Sequence, residues 1–242
     1  MRLLNSKQII DALTKISDAV ISNLYLEEIL KLIVTVTAEV MNSKICSLML
    51  LDKSTHELAV KATQSVSEFY NKKPNAKLGE GIAGRAAQLG KPITVLDVRK
   101  DKRYLNQAIA KKENLCSLLS MPLIFKGHVI GVLNCYTVKP HRFSPSEIRI
   151  IKSIANQAAI VIENFRLVVE SQVIQEELES RKIIERAKGI LMKRENLSEQ
   201  GAYKLIRKYS MDKRKSMREV SEAILLSAEM QKFSSHKERV DS

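Results

Sequence analysis

The sequence predicts an α+β protein: an antiparallel sheet with flanking helices, then a long coiled-coil helix leading into an all-α three-helix bundle. Three observations predict this order. Apolar residues recur at helical spacing near the start, short apolar runs separated by turn residues fill the middle, and helical spacing returns after Ser144. The 242 residues are 45% hydrophobic with only 8 Gly and 5 Pro, which favours a packed, helix-rich chain over a loop-rich β-sandwich.

Two helices are predicted within residues 6–42. Apolar residues recur at three- and four-residue steps in each helix, and Asn23 and Leu24 interrupt the pattern between them. Each helix therefore has one apolar face that needs a packing partner. The recurring positions are Ile9, Ile10, Leu13, Ile16 and Val20 in the first helix and Ile29, Leu30, Ile33, Val36 and Val40 in the second.

Paired strands are predicted next. The runs KICSLMLLD and ELAVKATQSV flank a turn at residues 52–56, and LLSMPLIFKGHVIGVLNCYTV contains two strands joined by Lys126 and Gly127. PITVLDV adds a further strand, and a short helix is predicted over residues 82–89. Because helices and tightly connected strands alternate in this way, we expect an antiparallel sheet with helices on its face.

One helical pattern begins at Ser144 and Pro145 and continues to residue 191, with no further Pro and no Gly before Gly189. A seam of alternating four- and three-residue steps is mostly apolar as far as Leu178 and then turns charged, which predicts a coiled coil followed by a local bundle. The simplest interpretation is a parallel homodimer through residues 160–180 and the first domain, with a solvated linker helix as the alternative. The seam residues are Leu167, Ser171, Ile174, Leu178, Arg181, Glu185, Lys188 and Met192.

Two further helices are predicted to complete the bundle. Ser198 with Glu199 marks one helix start, and Ser216 with Glu219 forms the S-x-x-E pattern of a capping box at the other, which should end near residue 228. Their apolar faces are formed by Ala202, Leu205, Ile206 and Tyr209 and by Met217, Val220 and Ile224. The predicted domains are residues 1–165, a coiled-coil helix over 166–180, the bundle over 181–230 and a polar tail over 231–242.

Motifs with catalytic or cofactor-binding associations lack their required context. Residues 79–84 fit G-x-G-x-x-G, but a polar stretch with Pro74 precedes them where a dinucleotide site needs a buried strand. Asp52 follows an apolar run as a receiver-domain phosphoacceptor does, but Asp11 and Asp18 lie on a helical pattern and not beside the first strand. With no nucleophile elbow, Cys–His pair or clustered metal ligands, we predict no catalytic residue, no metal and no cofactor.

The chain lacks the marks of a membrane or secreted protein. No run approaches 18 apolar residues, and no apolar stretch with a cleavage site follows the start. Cys46, Cys116 and Cys135 are odd in number and lie in apolar surroundings, which predicts buried thiols in a reducing compartment. We therefore expect a cytoplasmic protein with no membrane contact.

Positive charge is concentrated near the C-terminus. The formal net charge is +13, and residues 181–218 hold 13 cations against 4 anions. Lys213, Arg214 and Lys215 run into a helix N-terminus, where free N–H groups favour phosphate. Tyr203 and Tyr209 offer rings that stack on unpaired bases, which RNA loops supply. This segment is a candidate RNA-binding surface, with a solvated charged face as the alternative.

The same segment resembles a known family. ERAKGILMKR followed by LSEQGAYKLIRKYSMDKR, within residues 181–225, is similar to the ANTAR domain of bacterial transcription antitermination regulators. The resemblance implies a three-helix bundle that binds tandem hairpins in leader RNA and favours an antiterminator over a terminator hairpin. Ser210 and Ser221 stand where family members often have Ala. The RNA contacts that it implies are Arg186, Lys188, Lys193, Arg194, Arg207, Lys208, Lys213, Arg214, Lys215 and Ser216.

Residues 6–165 resemble GAF domains. The phrases that carry the resemblance are LGEGIAGRAAQLGKPITVLDVRKDKRY, SLLSMPLIFKGHVIGVLNCY and FSPSEIRIIKSIANQAAIVIENFRL. It implies a six-stranded or similar antiparallel sheet, often dimeric and sometimes ligand-binding. Neither the asparagine–lysine–phenylalanine–aspartate–glutamate signature of cyclic-nucleotide-binding members nor a chromophore-type Cys–His pair is visible. The domain is therefore expected either to sense an unidentified small molecule or to serve dimerisation alone.

These features together predict a cytoplasmic, homodimeric RNA-binding regulator of transcription antitermination that is not an enzyme. Two alternatives stay open. A duplex-DNA-binding regulator would use the last two helices as a helix-turn-helix. A small-molecule enzyme would be built on the first domain, for which no acid–base or nucleophile constellation is present.

Overall fold

The computed structural model describes residues 6–21, 25–65, 67–71 and 73–240, and the chain divides into two compact units, Met1–Arg166 and Leu167–Ser242. The predicted helix break at Asn23 and Leu24 lies outside the described residues. The elements are α1 (Ser6–Ile21), α2 (Leu26–Met41), β1 (Ile45–Asp52), β2 (Glu57–Thr63), α3 (Glu68–Asn71), β3 (Ala76–Lys77), α4 (Gly81–Leu89), β4 (Ile93–Val95), α5 (Gln107–Lys112), β5 (Leu118–Phe125), β6 (His128–Tyr136), α6 (Pro145–Arg194), α7 (Glu199–Lys213) and α8 (Met217–Val240).

The first unit contains one six-stranded sheet in the order β3-β2-β1-β6-β5-β4, with every neighbouring pair antiparallel. Its centre is the β1–β6 pair, in which Leu50 lies opposite Gly131. A Cβ on Gly131 would lie 2.3 Å from the carbonyl oxygen of Met49, so only glycine allows the two central strands to approach this closely. The predicted antiparallel sheet with flanking helices is confirmed.

Alternate residues of the central strands serve two different layers. Leu48 and Leu133 are buried on one face with α1, α2 and the beginning of α6. Met49 and Val132 are buried on the opposite face with Ala87 of α4. Because full burial of each such side chain contributes about 1.5–3 kcal/mol, the two-sided burial of β1 and β6 anchors the domain. The three predicted cysteine thiols are also buried and free.

The predicted turns have the expected local chemistry. Lys126 and Gly127, with φ of +47° and +82°, form the two-residue β5–β6 loop, as a type I′ turn requires. At the β1–β2 turn, Asp52 Oδ1 accepts hydrogen bonds from the backbone N–H groups of Ser54 at 2.7 Å and Thr55 at 3.2 Å. The Ser54 hydroxyl also donates to Asp52 Oδ1 at 2.6 Å, and this bond together with the two backbone bonds lowers the pKa of Asp52 and gives the carboxylate a turn-forming role.

The glycine-rich stretch at residues 79–84 also has a structural role. It follows the two-residue strand β3 and enters α4, with Gly79 and Gly81 at φ of +85° and +62°. The Gly79 N–H donates to the Gly84 carbonyl at 2.9 Å, and a Cβ on Gly84 would lie 2.2 Å from the Lys77 carbonyl oxygen. The glycines therefore permit a tight loop against β3.

The second unit is a small helical bundle. Ala187 and Leu191 of α6 are buried with Ala202 and Ile206 of α7, and Met217 of α8 and its neighbours pack against them. This confirms the predicted apolar faces except at Tyr209, which is 53% exposed and lies outside this core. Helix α8 continues to Val240, beyond the predicted end near residue 228. Within the described residues, no helix has the length and apolar character that crossing a membrane requires.

Candidate nucleic-acid interface and tyrosine pocket

The basic surface of the bundle is formed by three segments: the end of α6, α7, and the turn that joins α7 to α8. Nine of the ten residues that the resemblance implied are exposed. Six of the cations among these ten residues have no ion-pair partner within the part of the chain that the structure describes, so their charge is available to an anionic ligand. The six are Arg186, Lys193, Arg207, Lys208, Lys213 and Arg214.

The turn between α7 and α8 is held by local hydrogen bonds. Arg214 ends α7 in a left-handed conformation with φ of +52°, and the Lys215 N–H donates to the Ser210 carbonyl at 3.0 Å. The Ser210 hydroxyl in turn donates to the Lys215 carbonyl at 2.6 Å. This pair of bonds fixes the backbone beneath the consecutive cations, so Ser210 has a role that Ala could not fill.

The N-terminus of α8 is already occupied by the chain's own carboxylate, which corrects the expectation of free N–H groups there. The Ser216 N–H donates to Glu219 Oε2 at 2.8 Å, and the Glu219 N–H donates to the Ser216 hydroxyl at 3.1 Å, as the predicted capping box requires. Lys215 Nζ lies 2.9 Å from Glu219 Oε1. Hydrogen bonds from Lys215 and Ser216 lower the pKa of Glu219 to about 2, so this carboxylate is ionised.

Lys188 differs from the other nine residues because it is only 6% exposed. Its Nζ donates to Glu185 at 2.8 Å and to Glu199 at 2.8 Å, which joins α6 to the first turn of α7. These bonds raise the pKa of Lys188 and lower that of Glu199. The structure gives Lys188 a contact between helices and leaves no free donor face for a ligand. Glu185 three residues before it was the sequence signal for this pairing.

Two tyrosines accompany the cations. Tyr203 is 43% exposed and Tyr209 is 53% exposed, so both rings are available for stacking. Tyr209 also borders a groove of about 490 Å³ between α6, α7 and α8, with Arg194 at the same groove. An aromatic ring beside cations is the combination that binds single-stranded nucleic acid.

A second feature, the tyrosine pocket of the first unit, was not predicted. It lies between the sheet and α4, and its cavity measures about 20 Å³. Lys73 Nζ lies 5.6, 5.3 and 5.8 Å from the ring centroids of Tyr70, Tyr104 and Tyr136. Tyr70 belongs to the four-residue helix α3, Lys73 and Tyr104 to loops, and Tyr136 to β6, so no local pattern marks them. Members of the pocket lining are Lys73, Glu80, Gly81, Ile82, Leu105 and Tyr136.

The residues that the sequence analysis set aside occupy structural positions. His128 is exposed at the start of β6, and Cys116 is buried with its sulfur 3.2 Å from Arg99 Nη2. Cys46 and Cys135 face each other across β1 and β6 with their sulfurs 3.4 Å apart. In the described ranges, no three His, Cys, Asp or Glu side chains are close enough together to hold a metal ion.

The chain thus joins an α+β domain with a pocket beside its sheet to a basic helical bundle. The family model for the GAF domain matches residues 24–163, and that for the ANTAR domain matches residues 172–225. The chain belongs to the GAF-domain family and carries an ANTAR domain after it, as the sequence resemblances predicted.

The chain is similar to a transcriptional regulatory protein and to a sensor among curated proteins. The transcriptional regulatory protein PdtaR of Mycobacterium tuberculosis strain H37Rv is 31% identical over 148 residues, covering 57% of this chain and 70% of PdtaR. The methyl sulfide methyltransferase-associated sensor of Methanosarcina acetivorans is 27% identical over 164 residues, or 66% of this chain. The chain spans only 16% of that sensor's length. Together with the two domains, the likeness to PdtaR shows a GAF–ANTAR regulator.

Solved structures support the fold of the first unit. The GAF domain of a phosphoenolpyruvate-protein phosphotransferase from Coxiella burnetii is 26% identical with a TM-score of 0.61, covering 69% of this chain and 99% of that domain. A free methionine-R-sulfoxide reductase from Neisseria meningitidis, solved with its substrate, is 20% identical with a TM-score of 0.57. This match covers 69% of this chain and 99% of the reductase chain. The second likeness shows the fold alone.

Proposed function

We propose that this protein is a cytoplasmic, homodimeric regulator that binds tandem hairpins in leader RNA through its ANTAR bundle and promotes transcription antitermination. The GAF domain would sense a small molecule or serve dimerisation, and the protein would act without catalysing a reaction. The observation that carries the proposal is the concentration of unpaired, exposed cations on the ANTAR bundle.

The electrostatics of the bundle support an anionic partner. Residues 181–218 hold 13 cations and 4 anions, and two of the anions, Glu185 and Glu199, are bound to the buried Lys188. The cations that remain exposed are therefore barely compensated on their own surface. Each phosphate neutralised by such a cation releases a counterion, which gives binding a steep dependence on salt.

The position of the cations supports RNA over duplex DNA. They are distributed over the end of α6, α7 and a rigid turn, beside the exposed rings of Tyr203 and Tyr209. Rings stack on bases that are unpaired, and hairpin loops present such bases while a duplex does not. A duplex-DNA-binding regulator remains the competing function that the experiment below tests.

The seam of α6 supports a dimer. Leu167, Ile174 and Leu178 are 49%, 66% and 51% exposed, at the four- and three-residue steps of a coiled coil. An apolar stripe of this kind on a single chain is typical of a surface that pairs with a second copy. A dimer supplies two ANTAR bundles, and joining two weak hairpin contacts raises the overall affinity through effective concentration.

The test is binding of the full chain to a fluorescent leader RNA with two hairpins, measured over a range of salt concentrations. The variant Lys213→Ala/Arg214→Ala/Lys215→Ala should bind more weakly, and its slope of log affinity against log salt should be shallower by about 2 to 3. The matched control carries Lys91→Ala/Lys102→Ala/Lys139→Ala, three exposed cations of the GAF domain that change the net charge equally.

The proposal fails if both triple variants bind as the unchanged protein does. It also fails if a duplex DNA displaces the hairpin RNA at equal nucleotide concentration, which would favour the helix-turn-helix alternative. Loss of binding in both variants to the same degree would show that net charge, and not the ANTAR surface, drives the interaction.

A further inference from the structure

Helix α7 ends with an arginine at a backbone position that usually holds glycine. The Arg214 N–H donates to the Met211 carbonyl at 3.3 Å and the Lys215 N–H donates to the Ser210 carbonyl at 3.0 Å, which is the bonding pattern of a Schellman motif. The motif needs a left-handed residue, and Arg214 supplies it with φ of +52° and ψ of +41°. Because a Cβ crowds the backbone in this conformation, the turn tolerates a conformational penalty to hold a cation there.

The Ser210 hydroxyl adds a bond that the Schellman motif itself does not contain. The hydroxyl donates to the Lys215 carbonyl at 2.6 Å, while the Ser210 carbonyl accepts the Lys215 N–H. Both backbone groups of Lys215 are therefore bound to one residue in the last turn of α7. Alanine at position 210 would keep the N–H bond but would leave the Lys215 carbonyl without this donor.

The chain on the other side of Arg214 is also held. The Ser216 N–H and hydroxyl donate to Glu219 Oε2 at 2.8 and 3.0 Å, and Lys215 Nζ lies 2.9 Å from Glu219 Oε1. Arg214 itself is exposed and has no ion-pair partner among the residues that the structure describes. Its guanidinium is thus an unpaired cation on a turn whose backbone is bonded on both sides.

We propose that Ser210 is a positioning residue for RNA binding, which holds the turn so that the Arg214 guanidinium meets a phosphate of the hairpin. This inference rests on the RNA-binding function proposed above. A guanidinium has a planar fork of N–H donors that matches two oxygens of one phosphate, so its contribution depends on direction as well as on charge. A turn that is already ordered loses less conformational freedom when the RNA binds.

The kinetics of binding separate this role from a general effect on folding. Ser210→Ala removes no charge, so the rate of association, which electrostatic attraction governs, should stay unchanged. The rate of dissociation should rise about two- to tenfold, the range expected for one hydrogen bond. Partial unfolding would instead lower the fraction of protein that is competent to bind and leave the dissociation rate of the bound protein unchanged.

The experiment measures dissociation of the full chain from a fluorescent two-hairpin leader RNA by stopped-flow competition with unlabelled RNA. Ser210→Thr keeps the hydroxyl and should dissociate as slowly as the unchanged protein. Ser221→Ala, the matched control, removes a hydroxyl of the same bundle that has no partner, and should also leave the rate unchanged. Arg214→Ala should accelerate dissociation, and adding Ser210→Ala to it should change little, because Ser210 acts through Arg214.

Three results would overturn the positioning role: equal dissociation of Ser210→Ala and the unchanged protein, dissociation of Ser210→Thr as fast as that of Ser210→Ala, or additive effects of Ser210→Ala and Arg214→Ala. Each of them is observed on a protein that binds the RNA, so the proposed function would stand. If the unchanged protein did not bind the leader RNA, the proposed function would fail and the role of Ser210 would fail with it.

Discussion

Replacing Ser221 by Ala is expected to stabilise the ANTAR bundle. Ser221 is 0% exposed on α8, and its hydroxyl has no hydrogen-bond partner among the described residues. A buried polar group without a partner costs about 1–3 kcal/mol, so removing this oxygen should recover a free energy of that size. The higher helix propensity of Ala adds up to about 0.5 kcal/mol.

The measurement is hydrogen exchange of the full chain, followed by mass spectrometry on peptides from α8. A gain of about 1–3 kcal/mol slows exchange through local opening roughly 5- to 150-fold, while peptides from β1 and β6 serve as an internal reference. Ser210→Ala is the matched control, because the Ser210 hydroxyl does have a partner, the Lys215 carbonyl at 2.6 Å. That variant should lose about 0.5–1 kcal/mol.

Unchanged or faster exchange of α8 in Ser221→Ala would refute the reasoning, because the hydroxyl would then contribute to stability. The same holds if Ser210→Ala and Ser221→Ala shift exchange in the same direction. In that case helix propensity, and not the presence or absence of a hydrogen-bond partner, would decide the stability of this bundle.

Three further predictions concern side chains whose environments the structure defines. Lys188→Ala should loosen α6 from α7 and yet leave the salt slope of RNA binding unchanged, whereas Arg207→Ala should reduce that slope by about 1. Burial lowers the pKa of Lys73 from 10.5 to about 8, so chemical unfolding should show Lys73→Met to be more stable than the unchanged protein below pH 8. The difference in unfolding free energy between the two proteins should shrink by at most about 3 kcal/mol between pH 8 and pH 10.5. In that range the unfolded chain keeps a proton that the folded chain has lost, so the unchanged protein gains stability as the pH rises. Ile174→Asp, on the coiled-coil seam, should convert a dimer into a monomer in sedimentation experiments. Val169→Asp, also at an exposed position but opposite the seam, should leave the dimer intact. A dimer that persists in Ile174→Asp contradicts the proposed pairing.

Features that depend on neighbouring residues were predictable. The Ser216–Glu219 capping box and the Lys126–Gly127 hairpin are both present where the residues indicate them. Helix α6 starts at Pro145, as the sequence indicates, because proline has no N–H to donate and is tolerated in the first turn of a helix. The short elements α3, β3 and α5 were missed, because segments of two to six residues carry too little periodicity to detect.

The candidate site was only partly predictable, because some of its contacts join residues that are far apart in the sequence. The exposed cations of the bundle follow from charge density along the chain. The burial of Lys188 does not, because it depends on Glu199, eleven residues away on another helix. The occupied N-terminus of α8 could have been expected, since the carboxylate that forms a capping box uses the N–H groups of that turn.

By itself, the sequence determined the alternation of helices and strands, the two domain families and the segment in which cations concentrate, because each depends on residue types at short spacing. Only the tertiary structure decided which cations are free, which hydroxyls lack partners and which residues meet around Lys73. Tyr70, Tyr104 and Tyr136 lie more than thirty residues apart in turn, and the packing of α3 and of the loop that carries Tyr104 against β6 brings the three rings around one ammonium. Contacts of this kind depend on chain topology, which residue spacing does not encode.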